Sequence, residues 1–467
     1  MGVATARSFA SVAEAREFGR GLRKMLGRRG QAEFAPLDRD PVAIIESQNA
    51  TRLPDLVPVR IGRMLQSPLA YYRGTAAVMA HDLATGPRTG HHVTICGDAH
   101  VSNFGLFASP ERRVLFDLND FDEASVGPWE WDVKRLATSV VLADRSAGRR
   151  RERAADATQR TVASYRATMA SLSRRSALDR YFYLVETDRL EQLASASARK
   201  ILRRTVGRAA KRTSDRLLER ITTTGVKGSP VIVEQPPITT HVADLTLAEL
   251  SELWTAYRST LRADVAVLSS QFRLTDYVLR VVGVGSVGTR SYVALFQGPA
   301  GEPLFLQVKE AGPSVIQTYG RIPPAVPAGV SLVGAGREGY RVVTGQRILQ
   351  AQSDPFLGWT GGAKDPPHGR PVDYYWRQFR DMKGSVDLDG LSASQMGTYG
   401  ELCGTLLARA HSQSSHPAVI DSYLGRSDRF ERAITTWATK YADQVERDFR
   451  QLEHATITGR LPVEHGV

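Results

Sequence analysis

Cysteine is almost absent from this chain: Cys96 and Cys403 are the only two in 467 residues. Two thiols cannot build a disulfide framework, and a reducing cytoplasm is the expected setting. No apolar run approaches the roughly 18–20 residues needed to cross a bilayer, so no membrane partner is expected. The opening stretch MGVATARSFASVAEAREFGR lacks the apolar centre of a secretory signal. Lysine is scarce, with nine among 61 basic residues. Cys/His zinc spacings, ribonucleoprotein motifs and basic strands interleaved with aromatics are also missing. Those absences argue against nucleic acid as a partner in spite of a net charge of +12. Much of the excess lies between Ala194 and Lys227, in ARKILRRTVGRAAKRTSDR, and reads as the solvated face of a helix. A phosphorylated ligand is compatible with the same charge.

What is present is ordinary in bulk, 42% hydrophobic and 24% charged, and long enough for two to four lobes. Residues 1–90 read as mainly helical, with apolar residues at helical spacing in SVAEAREFGRGLRKML and SPLAYYRGTAAVMAHDLA. Residues 92–122 read as strand, loop, strand, turn and strand. WEWDVKRLATSVVLADRSAG predicts a buried helix ended by Gly148. Long basic helices follow over 150–222, then a Pro-rich connection and a return to helix at 246–270. From Gln271 the texture changes to strands joined by Gly and Pro turns. A helix is predicted from about Gly336 to Ser353, strands at FLGWT and DYYWRQFRDM, and helix again from Ser392. The alternating aromatics of YYWRQF predict a half-buried core strand. His411 and His416, isolated polar residues near a helix end, read as capping or solvated.

The chemistry concentrates in ICGDAHVSNFGLF, Ile95 to Phe107. Asp98 precedes Asn103 by five residues. Phosphoryl transfer uses such a pair, an Asp to orient the proton of the attacking hydroxyl and an Asn to hold a metal ion bridging the phosphates. His100 can orient the loop or reach the transferred group. A hairpin, FGLFASPERRVLFDL, then leads into Asn119-Asp120-Phe121-Asp122, whose carboxylates suit Mg²⁺.

GDAHVSN resembles the GDxHxxN loop of the aminoglycoside-phosphotransferase-like branch of the protein-kinase superfamily. DFDEASVGPWEWD resembles that branch too. There the metal-binding Asp is followed twelve residues on by an Asp that opens a buried helix and braces the catalytic loop. The matching positions are Asp120 and Asp132. The combined pattern, GDAHVSNFG, FDLNDFDE and GPWEWDVKRLA, also resembles an uncharacterised bacterial family of unknown function over nearly the full length. Cys96 departs from the kinases, many of which have His there, a scaffold position. Asp117 competes for the metal role by its distance from Asn103; Asp120 is preferred for its spacing to Asp132.

The resemblance implies a nucleotide lobe with a Gly-rich loop and a strand Lys. Neither occurs before Asp98. Both occur later: Gly283-x-Gly285-x-x-Gly288 lies between the apolar runs VLRVV and SYVALF, and Lys309 follows in LFLQVKEA. The dinucleotide fingerprint would need a helix after these glycines, whereas TRSYVALF continues as strand. Glu338, the only acidic residue between Glu310 and Asp354, is the candidate partner for Lys309; Glu310 would point to the opposite face of the strand. The adenine-binding hinge would lie near Asp381 to Lys383, at Met382. GTLLARAHSQSS resembles the helix that leads into the catalytic loop, yet here it comes last.

The expected fold is therefore α+β, a protein-kinase-like two-lobed fold in circularly permuted order. Residues 1–265 would form a catalytic, mainly helical region with a helical insert at about 150–265, residues 266–383 a smaller β-rich nucleotide lobe, and residues 384–467 a helical return. The expected activity is transfer of the ATP γ-phosphate to a small hydroxylated acceptor. Asp98 and His100 would serve catalysis, Asn103, Asp120 and Asp122 would bind Mg²⁺, and Gly283, Gly285, Gly288, Lys309, Glu338 and Met382 would bind the nucleotide. Three other readings stand beside it: a kinase-fold nucleotidyl transferase, a nucleotide-binding pseudokinase scaffold, and a metallophosphatase built on Asp98-x-His100 with His91, His92 and Asp117.

Overall fold

The stretch WEWDVKRLATSVVLADRS folds as the helix Trp129–Ser146, buried along nearly its whole length. Such a helix needs neighbours on every side, and it packs against the helices Arg151–Leu172, Ala393–His411 and Arg429–Ile457. Gly148, at φ +68°, follows it as expected. The computed structural model describes residues 9–34, 38–185, 203, 205–207, 214–225, 228–242, 246–281, 283–364, 371–379 and 383–466. Most of the basic stretch Ala194–Lys227, and the expected hinge residues Asp381 and Met382, lie outside the described residues.

The second body of structure is a six-stranded sheet. Its spatial order is Gly358–Lys364, Pro371–Gln378, Pro303–Ala311, Ser291–Gln297, Arg273–Arg280 and Thr239–Thr240, every neighbour antiparallel. Side chains alternate between faces along a strand, and both faces are covered. Tyr292, Ala294 and Phe296 join Trp254 and Tyr257 of the helix Leu247–Arg258 in one core. Val293 and Leu295 join Leu217, Phe305 and Phe379 in another. That double burial explains the continuous apolar run SYVALF. Tyr374 and Trp376 are core residues as read from the sequence, with Trp376 stacked 4.7 Å from Tyr257.

The described parts of 150–265 pack on both bodies. Ala154, Ala157, Thr158, Thr161, Val162, Tyr165, Met169 and Leu172 make one buried stripe at helical spacing. That stripe seats Arg151–Leu172 on Ala393–His411. The helix Leu247–Arg258 belongs to the sheet it covers. The helix expected over 336–353 is shorter, Glu338–Leu349, because Gln350 turns extended. The strand at FLGWT runs further, Gly358–Lys364. Among the described residues, no helix is long and apolar enough to cross a membrane.

Two small pairings place the motifs between Cys96 and Asp122. His92–Ile95 pairs with Ser125–Pro128, which brackets everything between Cys96 and Ala124. The hairpin of Phe104–Ala108 with Val114–Leu118 is joined by Gly384–Ser385, a segment that returns from the six-stranded sheet.

Candidate active site

The loop after Ile95 is held by one face of the helix Trp129–Ser146. Asp132 accepts the amides of Cys96 at 2.7 Å and Gly97 at 2.9 Å. Arg135 donates through Nε to Asp98 Oδ1 at 2.6 Å, and Ser139 Oγ accepts the Val101 amide at 2.9 Å. Positions 132, 135 and 139 share a helical face, so a single rigid element sets the loop. Gly97 sits at φ +76°, and a Cβ there would lie 2.3 Å from the Glu123 carbonyl oxygen. Gly97→Ala is therefore expected to cost at least ~1–3 kcal/mol of backbone strain, read as a lowered unfolding midpoint.

Asn103 ties this loop to the next motif. Its Nδ2 donates to the main-chain oxygens of Asp98 and Asp120, both at 3.0 Å. Its Oδ1 is buried with no hydrogen-bond partner, and so is Oδ1 of Asp120. Buried polar oxygens are normally satisfied, so this pair fits an absent ligand. Two oxygens from one amide and one carboxylate suit a hard cation such as Mg²⁺, which commonly takes only one or two protein carboxylates and completes its shell with water and phosphate. Among the described residues, no three His, Cys, Asp or Glu side chains cluster as a metal cage.

The six-stranded sheet delivers Lys309 to the same place. Lys309 shares its strand face with Phe305 and Gln307 and is opposed by Tyr375 and Ser291 on the flanking strands. Its Nζ is 2.5 Å from Asp122 Oδ2 and 3.6 Å from Asp120 Oδ1. Tyr375 donates its hydroxyl to the other oxygen of Asp122 at 2.5 Å. Arg377 bonds Gln307 and the Asn119 carbonyl. The glycines lie in the connection between Arg273–Arg280 and Ser291–Gln297, with Gly283 and Gly288 at φ +68° and +86°. This connection rests on the helical body: Arg63 donates to the Gly283 carbonyl, the Leu53 amide to that of Gly288, and Arg52 to that of Val287.

These parts enclose a cavity of about 630 Å³, lined by Asp98, His100, Asn103, Asp120, Asp122 and Lys309 together with the glycine loop. Its electrostatics follow from burial among cations. Burial would raise Asp120, but Lys309, Arg377 and Lys383 outweigh it and hold its carboxyl at about 2. Asp98 moves the other way: burial dominates and pushes it up to about 6 despite Arg135. Burial, with Arg73 and Arg135 nearby, holds His100 well below the usual imidazole range and hence neutral. Its Nε2 lies 3.7 Å from Asp98 Oδ2.

Several expectations need correction. Glu338 does not meet Lys309; it pairs with Arg341 at 2.5 Å, and Asp122 with Tyr375 takes its place. The register that sets Lys309 opposite Tyr375 decides this. Asp117 is spent on the amides of Leu118 and Ala351 and does not line the cavity, whereas Asp120 does. His411 is neither a cap nor solvated. It is wholly buried, with Nε2 3.2 Å from Asp132 Oδ2 and Nδ1 2.9 Å from the Tyr165 hydroxyl. His416 does cap, its Nδ1 accepting the Ala418 amide. His91 meets Ser415 away from the cavity. Arg135, inside GPWEWDVKRLA but given no role there, and Tyr375 are site residues that the sequence reading missed; only Arg135 had a local signal, three residues beyond Asp132 on the same helix face.

No curated protein and no solved structure matches this chain. Residues 52–455, which contain every element of the site, match the family described as uncharacterized proteins conserved in bacteria, DUF2252, and the chain belongs to that family.

Proposed function

We propose that the chain is an ATP-dependent phosphotransferase of kinase-like construction with its lobes in circularly permuted order. One observation carries this reading. The strand Lys309 and the Asp120–Asp122 turn, 187 residues apart in sequence between Asp122 and Lys309, meet as an ion pair. They do so in a cavity that also holds a glycine-rich hairpin loop, Asp98 and Asn103. Mg²⁺, held by Asn103 Oδ1 and Asp120, would supply charge neutralisation on the phosphates. Lys309, aligned by Asp122 and Tyr375, holds phosphate oxygens. The glycine loop lets main-chain amides approach them closely. Asp98, fixed by Arg135, orients the acceptor hydroxyl and takes its proton. The hydroxyl oxygen forms the new bond to the γ-phosphorus, and the bond to the β–γ bridging oxygen breaks with its electron pair leaving on ADP. Neutral His100 supports the hydroxyl from the side of Asp98.

The test is a thermal-shift titration. A ligand that binds only the folded chain adds about 2.7 kcal/mol at ~100 times its dissociation constant. A Mg²⁺-dependent rise in midpoint with ATP is expected in the wild type, and a smaller one in Asp120→Asn and Lys309→Met. No shift with any nucleotide would sink the reading. Parallel reactions with α- and γ-labelled ATP then separate phosphoryl from adenylyl transfer.

A further inference from the structure

Arg73, a cation of the cavity, has no direct hydrogen-bonded partner among the described residues. Lys309 meets Asp122, Arg377 meets Gln307 and the Asn119 carbonyl, and Arg52 meets the Val287 carbonyl. Arg73 lines the same cavity beside Asp98 and His100, yet its guanidinium makes no hydrogen bond or ion pair among the described residues, and its Nε is buried without a partner. Asp98 and Asp120 act on it only at longer range: Asp98 Oδ1 accepts from Arg135, and Oδ2 lies 3.7 Å from His100 Nε2.

The position is built. Arg73 belongs to the helix Pro68–Gly74. Arg60, buried, donates to the Gly74 carbonyl at 2.9 Å. Arg135 donates to the Tyr72 carbonyl at 2.9 Å and lies over the Tyr72 ring at 4.2 Å. The main chain on both sides of Arg73 is thus pinned by cations that are themselves engaged, and one of them also sets Asp98. A planar guanidinium is the group best matched to a carboxylate or phosphate.

We propose that the acceptor is an anionic hydroxylated small molecule, whose carboxylate or phosphate group pairs with Arg73 while its hydroxyl lies against Asp98. This rests on the reading of Asp98 as the residue that faces the acceptor. The nucleotide has its own cations on the sheet side, Lys309 and Arg377, whereas Arg73 comes from the helical body on the side of Asp98.

The test uses the full chain, γ-labelled ATP with Mg²⁺, and a small-molecule extract of bacterial cells stripped of nucleotides on charcoal. Anion-exchange resin divides the extract into retained and unretained fractions. A labelled product is expected from the retained fraction. In Arg73→Ala the amount of that fraction needed for half-maximal transfer should rise about 10- to 100-fold, the effect of losing a charge-assisted pair, with the KM for ATP within about twofold. Arg73→Lys should recover part of the loss, which a fold defect would not. Phosphatase treatment of the fraction separates the sources: loss of the product assigns a phosphate, survival a carboxylate. Product from the unretained fraction alone would overturn the proposal. So would an Arg73→Ala effect confined to the KM for ATP. Failure of the phosphotransfer reading looks different, with no Mg-ATP shift and no labelled product from either fraction, and it takes this proposal with it.

Discussion

Asp98→Asn is expected to lower the transfer rate by about 10²- to 10⁴-fold, the usual worth of a positioned general base. The substitution is nearly isosteric, and an amide oxygen can still accept from Arg135 Nε, which now bonds Asp98 Oδ1 at 2.6 Å. What is lost is the capacity to take the acceptor proton. Asn103 reaches the Asp98 main-chain oxygen, not its side chain, so the proposed metal-binding pair is left in place. The Mg-ATP shift should therefore survive while labelled product disappears. Equal loss of ATP binding would mean that Asp98 serves the nucleotide, and an unchanged rate would remove it from catalysis.

Asp132→Ala should be the most damaging single change to the loop itself, at about 3–5 kcal/mol, as for the loss of one partner from a buried charged network. Its carboxylate is wholly enclosed and satisfies two consecutive amides, Cys96 and Gly97, as well as His411. Without it both amides are left buried and unpaired, each costing about 1–3 kcal/mol. His411 keeps only the Tyr165 hydroxyl. Denaturant unfolding would measure the loss. Folded Asp132→Ala should also transfer phosphate poorly, since the turn at Gly97 aims Asp98. A loss within ~0.5 kcal/mol, the range of ordinary surface substitutions, would show that the loop is held by the Ile95–Ser125 pairing alone.

The contrast between Glu338 and Asp122 illustrates what the chain's local patterns carry. Asp98, His100, Asn103 and the Asp120–Asp122 turn form a short, contiguous constellation whose hairpin and loop lengths bring them together by local geometry. The glycine triplet sits between two strands by the same logic. Lys309 stood out because the resemblance implied a strand Lys after the glycine loop, and it follows in the apolar strand LFLQVKEA. Which partner it takes is a question of register between strands separated by long connections. Glu338 was selected for being the only acid in its window, and the sheet instead set Lys309 against Tyr375 and toward Asp122.

His411 and Arg73 mark the same boundary from the other side. His411 lies in GTLLARAHSQSS, likened above to the helix that leads into the catalytic loop, but that likeness did not single it out; its partner Asp132 lies 279 positions away. Arg73 is one arginine among many, distinguished by lining the cavity without a direct hydrogen bond or ion pair among the described residues. Local periodicity determined the helices, the hairpins and the order of the motifs, because hydrophobic spacing and turn chemistry act over a few residues. The meeting of the 96–122 and 283–309 segments, the brace from His411 and the placement of Arg73 in the cavity were decided by tertiary packing. Ion pairing and burial depend on which distant surfaces are pressed together, and no short window of sequence contains both partners.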